Sequence, residues 1–170
     1  MPLPHIRPFC PVDEPSASHL LDVEFAGRMQ ARLGEVHDVL ALPGYVAVVE
    51  DEVIGVATYA VRATGAELAV LAVGAGHRRA GVGTALLEAV VSAVREQGVS
   101  EIWLVTTNDN LDALRVYQRR GFRLAELRAG AVDAARALKP SIPVAGQYGI
   151  PLRDELVLVR RLATAPAGGT

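Results

Sequence analysis

A turn rich in glycine and arginine carries the clearest chemistry in the chain. It spans residues 78–83, RRAGVG, between an apolar run at 68–73 and a segment with apolar residues every three or four positions from Val82. Glycines leave the free N–H groups of a helix N-terminus open to phosphate oxygens, and arginines can add charge-assisted bonds. We interpret the turn as a pyrophosphate site. The alternative is an ordinary tight turn that needs glycine.

Two other kinds of phosphate loop are excluded by single residues. A dinucleotide fingerprint needs a third glycine three residues after the second, where this chain has Leu86. A P-loop needs Gly-Lys-Ser/Thr, but Gly81 and Gly83 are followed by Val82 and Thr84.

The elements that must position this turn follow from periodicity. The run at 68–73 is almost uninterruptedly apolar, which is typical of a central strand covered on both faces. The segment after the turn is predicted to be an amphipathic helix ending at Gly98. Further strands are predicted at 6–9 on a sheet edge, 45–50, 53–61, 101–107, 122–127 and 154–162, the last one closing the sheet.

Three other segments have weaker patterns. Residues 16–42 are predicted to form two helices broken near Gly34. A short helix is expected at 111–120, with Asn108 or Asp109 as its N-cap. Residues 131–151 combine a helical first half with a loop rich in proline and glycine, and a loop of this length is often functional.

Two motifs together resemble those of the GNAT superfamily of N-acetyltransferases. The first, Arg78-x-x-Gly81-x-Gly83 after an apolar strand, resembles the acyl-CoA-binding motif Gln/Arg-x-x-Gly-x-Gly/Ala. The second, Asn110-x-x-Ala113-x-x-x-Tyr117-x-x-x-Gly121-Phe122, is similar to the second cofactor motif of the family. Both occur in the expected order and in strand-turn-helix settings.

The resemblance implies one α/β domain over residues 1–163, with 164–170 as a flexible tail. Its mixed central sheet has about seven strands, is splayed at the cofactor site and is flanked by helices. The implied activity is transfer of an acetyl group from acetyl-CoA, as co-substrate, to an amine of a small molecule, peptide or protein by direct attack in a ternary complex. The alternative is a non-catalytic acyl-CoA-binding module.

The resemblance also implies which residues bind acetyl-CoA. The strands before and after the turn should separate, so that the pantetheine arm pairs with main-chain groups, and the amide of Val73 or a neighbour could stabilise the oxyanion. Asn110 should bond the cofactor arm. The implied cofactor residues are Leu71, Ala72, Val73, Arg78, Arg79, Ala80, Gly81, Val82, Gly83, Thr84, Asn110, Ala113 and Tyr117.

Two residues are candidates for proton transfer. Glu67 is the acidic residue of the central strand, and partial loss of hydration beside Leu68 would raise its pKa toward that of a useful base. A glutamate at this distance from the glycine motif is the base in the histone-acetylating branch of the family. Tyr117 is the candidate acid for the leaving thiolate. The alternatives are a solvent-exposed Glu67 at the strand's start and a Tyr117 buried for packing alone.

The acceptor site is only outlined by the sequence. In the resembled family the region that corresponds to residues 16–42 covers the acceptor side, which makes Glu24, Phe25, Met29 and His37 candidate contacts, although the favoured alternative for each is a plain helix residue. As a hypothesis, residues 131–151 line the acceptor pocket with Gln147 and Tyr148.

Composition bounds the remaining classes. The 170 residues are 51% hydrophobic with a formal net charge of -2, which is typical of a globular chain and argues against a nucleic-acid surface. One cysteine, Cys10, and four scattered histidines give no disulfide and no metal set. No signal peptide or membrane span is recognisable, so we expect a cytoplasmic protein. A homodimer is an expectation from the family alone.

Overall fold

The computed structural model describes residues 3–163, so the predicted tail at 164–170 lies outside the described residues. Nine strands are present: β1 His5–Pro8, β2 Met29–Arg32, β3 Glu35–Asp38, β4 Gly44–Val49, β5 Glu52–Arg62, β6 Gly65–Val73, β7 Glu101–Thr107, β8 Arg123–Arg128 and β9 Glu155–Arg161. The helices are α1 Glu14–Phe25, α2 Val82–Glu96, α3 Leu111–Arg119 and α4 Ala131–Leu138.

Seven of the strands form one mixed sheet in the order β1-β4-β5-β6-β7-β9-β8. Strands β6 and β7 run parallel, and every other neighbouring pair is antiparallel. This confirms the predicted α/β class, the seven-stranded sheet and the edge position of β1. The prediction that the last strand closes the sheet is wrong, because β9 inserts between β7 and β8 and leaves β8 at the edge.

The two central strands pair only where they begin. Their parallel ladder contains Ala66 opposite Ile102 and Glu67 opposite Trp103. On its other side β6 pairs with β5 along its whole length. Beyond Glu67, therefore, the groups of β6 that face β7 have no strand partner, and the sheet is splayed at its centre as predicted.

Helices cover β6 on both faces. Helix α2 buries Leu86, Val90 and Val94 completely against one face of the sheet. Helix α1 packs on the other face, where Leu21 joins Val70 in a second core cluster. Each buried aliphatic side chain of this size contributes about 1.5–3 kcal/mol. Burial on both faces explains why the sequence of β6 is continuously apolar.

The prediction of two helices over residues 16–42 is wrong in its second half. Helix α1 ends at Phe25, and the chain then forms a separate antiparallel hairpin, β2–β3. Leu33 and Gly34 at its tip both have positive φ, 51° and 80°, which is typical of a two-residue hairpin turn. The break near Gly34 is therefore real, but it joins two short strands. These strands have too few apolar residues to show an alternating pattern.

The N-cap predicted for α3 is also corrected. The cap residue is Asn110, whose side chain makes no capping hydrogen bond. Asn108 and Asp109 bind the loop after α4 instead: Asn108 Oδ1 accepts from the amide of Asp154 at 3.0 Å, and Asp109 Oδ2 accepts from the amide of Gln147 at 2.8 Å. Within residues 3–163 no helix is both long and apolar enough to cross a membrane.

Candidate active site

A cavity of about 540 Å³ opens where β6 and β7 separate. Its walls come from α1, β2, β6, the glycine turn, β7, α3 and β9. The cavity thus has two parts, which we name for the roles predicted from the sequence. The cofactor half is formed by the end of β6, the glycine turn, the start of α2 and α3. The acceptor half is formed by α1, β2 and Glu155 of β9, with the rest of the β2–β3 hairpin behind it.

The cofactor half is built on main-chain geometry. Gly81 is the N-cap of α2 and adopts the left-handed conformation, with φ 81° and ψ 0°, which a side chain would strain. Gly83 lines the cavity in the first turn of α2, where a Cβ would lie 3.5 Å from Val73 Cγ2. The first N–H groups of α2 have no carbonyl one turn earlier in the helix to accept a hydrogen bond from them. They therefore lie at the cavity wall, together with the positive end of the helix dipole.

Most of the predicted cofactor residues line this cavity. Those that do are Leu71, Ala72, Val73, Arg78, Arg79, Gly81, Gly83, Thr84, Asn110, Ala113 and Tyr117. Val82 does not line it, because its side chain is buried in the main hydrophobic core. Ala80 is exposed in the turn and is also absent from the lining.

Arg78 is already engaged by an acidic residue of α1. Its Nη2 donates to Glu24 Oε2, and its Nε donates to the carbonyl of Val73 at 3.1 Å. Glu24 also accepts from the amide of Ala75 at 3.2 Å. Glu24 therefore fastens α1 to the turn, and it lines the cavity as a predicted acceptor-side residue.

Tyr117 is buried at the bottom of the cofactor half. Its ring meets Phe122 edge-to-face, with centroids 5.6 Å apart and planes at 62°. Burial raises the pKa of the phenol above its usual value, because the phenolate would lose hydration. Near it, Asn110 Nδ2 donates to Thr106 Oγ1 at 3.1 Å. Tyr117 is therefore a protonated donor that lines the cavity.

Glu67 is buried and ion-paired. Its side chain is 3% exposed, Oε1 accepts from Nε of Arg32, and Oε2 lies 3.6 Å from Arg62 Nη2. A solvent-exposed Glu67 at the start of the strand is thus not what the fold produces. Glu67 lies at the point where β6 and β7 part, but the cavity wall there is formed by Arg32 and not by Glu67.

Two buried charged residues of the cavity wall were not predicted, Arg32 and Glu155. Arg32 was missed because its segment was assigned to a helix. Glu155 is the first residue of the apolar strand β9, and Glu67 lies near the start of the apolar strand β6. This shared pattern, a carboxylate at the start of an apolar strand, could have indicated that Glu155 belongs to the site. Glu155 Oε2 accepts from the amide of Leu33 at 3.3 Å and lies 3.4 Å from Arg128 Nε.

The other predicted acceptor contacts divide into two groups. Phe25 and Gln147 line the cavity, whereas Met29 and His37 lie on the hairpin away from it. Tyr148 is 66% exposed and is not among the lining residues, although its hydroxyl donates to Asp112 of the cavity wall at 2.7 Å.

The segment after α4 nevertheless supports the acceptor half. Helix α4 packs against the β2–β3 hairpin, and Lys139 Nζ donates to the carbonyl of Met29 at 2.7 Å.

Over residues 3–163 there is no group of three or more His, Cys, Asp or Glu side chains arranged to hold a metal ion. Cys10 is exposed.

Known proteins share this sequence and this architecture. Residues 13–122 match the model of the Acetyltransferase (GNAT) family. The uncharacterised protein YxbD of Bacillus subtilis (strain 168) is 35% identical over 159 residues, which cover 93% of this chain and 99% of YxbD.

Two solved structures have the same fold. The IAA acetyltransferase from Bacillus cereus ATCC 14579 is 22% identical, with a TM-score of 0.72 over 94% of this chain and 99% of its own. A GNAT family acetyltransferase from Elizabethkingia anophelis, solved with acetyl-CoA bound, is 21% identical, with a TM-score of 0.70 over 95% and 100%. With its glycine turn, splayed sheet and buried tyrosine in one cavity, the chain belongs to the GNAT acetyltransferase family.

Proposed function

We propose that the protein transfers an acetyl group from acetyl-CoA to an amine bound in the acceptor half. The observation that carries the proposal is the convergence of three features on one cavity: the glycine turn of α2, the unpaired edge of β6 and the buried phenol of Tyr117. Family membership supports acyltransferase activity, and the amine acceptor is our addition.

The residues present fit acetyl-CoA. The pyrophosphate would lie at the first turn of α2, where Gly81 and Gly83 place no side chain between the backbone amides and an anion. The pantetheine arm would extend along Leu71–Val73, whose main-chain groups have no strand partner on the β7 side. The Elizabethkingia neighbour, solved with acetyl-CoA bound, supports this choice of co-substrate.

The reaction needs a neutral amine and a protonated leaving group. The amine nitrogen forms a bond to the acetyl carbon, the carbon–sulfur bond breaks, the amine gives up a proton, and the thiolate takes one. Tyr117 is our candidate donor to the thiolate, because burial keeps its hydroxyl protonated at neutral pH. An amide of β6 near Val73 is our candidate donor to the oxyanion.

Two carboxylates stand at the acceptor end. Glu67 remains our candidate for the base that receives the amine proton, and because Arg32 covers it, a bound water would have to complete the path. Glu155, which itself lines the cavity, is the second candidate. Separate Glu67→Gln and Glu155→Gln variants distinguish them, since loss of the base removes the acidic limb of the pH profile of kcat.

The proposal is tested by measuring thiol release from acetyl-CoA with a panel of amines, and by identifying the acetylated product by mass spectrometry. Release that depends on the amine is expected for the natural protein and is expected to be lost in Gly83→Glu. Ser92→Glu is the matched control, because it adds the same charge to an exposed site on the same helix. Binding of acetyl-CoA without thiol release on any amine would contradict the proposal and favour a non-catalytic acyl-CoA-binding module.

A further inference from the structure

We propose that the acceptor is a zwitterion, a small molecule that carries a carboxylate close to its reactive amine, as a free amino acid does. Arg32 would bind the carboxylate, and Glu155 would bind the amine in its ammonium form before transfer. The inference rests on the proposed function, and it names the substrate class of the same cavity.

Arg32 is a buried cation with unused donors. The residue is 7% exposed and lines the cavity. Its Nε is occupied by Glu67, but Nη1 and Nη2 have no hydrogen-bond partner among residues 3–163. Buried guanidinium donors left without partners are costly, and a planar fork of N–H groups fits a carboxylate better than any neutral group. Both nitrogens are buried in the wall, so the side chain would have to turn toward the cavity for a bound carboxylate to satisfy them.

Glu155 is a second buried charge on the wall of the same cavity. Its Oε2 accepts a hydrogen bond from the amide of Leu33, the residue after Arg32, at 3.3 Å. Arg128 also approaches Oε2, at 3.4 Å. Oε1 makes no hydrogen bond to any part of the chain that the structure describes. This oxygen of Glu155 is therefore available to an ammonium group.

The two buried carboxylates already have cationic partners, whereas Arg32 keeps donors without acceptors. Glu67 pairs with Arg32 and lies 3.6 Å from the half-exposed Arg62, and Glu155 lies 3.4 Å from Arg128. A simple amine would leave Nη1 and Nη2 of Arg32 without an acceptor, whereas a zwitterion brings one charge for each of the two unused contacts. A peptide N-terminus would offer Arg32 one neutral amide oxygen in place of the two charged oxygens of a carboxylate.

The decisive comparison uses the natural protein and matched acceptors. Thiol release from acetyl-CoA is measured with common amino acids, with their carboxamides and with the amines that lack the carboxyl group, for example phenylalanine, phenylalaninamide and phenethylamine. We expect kcat/KM to be about tenfold or more higher for the acids. This preference would run against intrinsic reactivity, because the carboxamides have the less basic, more readily deprotonated amines.

A pair of variants assigns the preference to Arg32. Arg32→Met is combined with Glu67→Gln, so that no buried carboxylate is left unpaired. In this double variant the acid and the carboxamide should give equal kcat/KM. The control is Glu67→Gln alone, which keeps the guanidinium and should keep the ratio, whatever its effect on the rate. In Glu155→Gln the KM of the acids should rise.

The inference is overturned if the natural protein acetylates carboxamides or simple amines as well as, or better than, the acids. That result decides the matter even if the double variant fails to fold. Absence of thiol release with every amine would instead sink the proposed function. Calorimetric titration of each acid and carboxamide into the protein with coenzyme A then tests the carboxylate site separately, and equal affinities would overturn it.

Discussion

The cofactor half and the acceptor half of the cavity are held together by different physics. The cofactor half is built mainly on consecutive residues, the strand β6, the glycine turn and α2, with α3 completing it, and the groups that β6 and α2 offer are backbone amides and carbonyls. The acceptor half depends on charged side chains from distant parts of the chain, such as Arg32 with Glu67 and Leu33 with Glu155, 35 and 122 positions apart.

The difference teaches where each half can vary. A site made of main-chain groups tolerates many side chains as long as its glycine positions keep small residues. Such a site suits a co-substrate that a whole family shares. Buried ion pairs impose a particular charge pattern and fail when one partner is lost. We therefore propose that substrate choice belongs to the acceptor half. The following predictions test this contrast.

The largest effect is expected at the buried tyrosine of the cofactor half. Tyr117→Phe should lower kcat by about 10²–10⁴-fold, because it removes the proposed proton donor while keeping the ring against Phe122. Acetyl-CoA affinity, measured by calorimetry, should not change. Because burial raises the pKa of Tyr117, any loss of kcat caused by ionisation of its phenol should have its midpoint above pH 10.0, the ordinary pKa of tyrosine. A fall in affinity with normal kcat would assign Tyr117 to packing.

The acceptor half should unfold more easily when one charge is removed. Arg32→Met is expected to cost about 3–5 kcal/mol of unfolding free energy, because it leaves Glu67 buried beside only the half-exposed Arg62. The Arg32→Met, Glu67→Gln pair should recover part of that loss. Urea unfolding of both proteins measures the coupling. Equal stabilities for the single and double variants would show that the ion pair contributes nothing.

Acid should weaken the acceptor half first. The hydrogen bonds from Arg28 to Asp38, both 2.8 Å, lower the pKa of that carboxyl below its usual 3.8. A lowered folded-state pKa adds stability that is complete above about pH 3.8 and is lost as the pH falls through the folded value. Asp38→Asn should therefore cost about 1 kcal/mol near neutral pH and progressively less in acid.

The control for this effect lies at the far end of α2. Glu96→Gln removes an exposed carboxylate there and should change the unfolding free energy at neutral pH by less than about 0.5 kcal/mol. If Asp38→Asn had as small an effect on the unfolding free energy, the ion pair between Arg28 and Asp38 would not stabilise the hairpin.

The smallest effect is expected when an uncharged methyl group is added to the main-chain cradle at Gly83. In Gly83→Ala the new Cβ would meet Val73 Cγ2 at 3.5 Å, an ordinary van der Waals contact. Acetyl-CoA affinity should stay within about twofold, and stability should rise by up to about 1 kcal/mol, since alanine favours a helix over glycine. A large loss of affinity, again by calorimetry, would show that the cradle has no room at this position.

The same contrast explains what the sequence could predict. The apolar run of β6, the glycine turn and the amphipathic α2 are local patterns that the sequence alone predicts. The splay of the sheet and the cofactor residues of the cavity wall followed from the family resemblance. The β2–β3 hairpin has no such pattern, so its residues were assigned to a helix and Arg32 was missed. Glu155 joins the cavity only through strand order, because β9 inserts beside β7. Tyr148 does not line the cavity because its ring is 66% exposed, although its hydroxyl binds Asp112 at the cavity's rim.

The central claim is that the cavity is built around acetyl-CoA, and calorimetric titration tests it most directly. Acetyl-CoA is titrated into the natural protein, Gly83→Glu and Ser92→Glu. Gly83→Glu should stay folded, because an acidic residue is favourable in the first turn of a helix, while its charge repels the pyrophosphate. We predict micromolar binding to the natural protein and to Ser92→Glu, with at least about a hundredfold loss in Gly83→Glu. Absence of binding to the natural protein, or equal binding to all three proteins, would contradict the account.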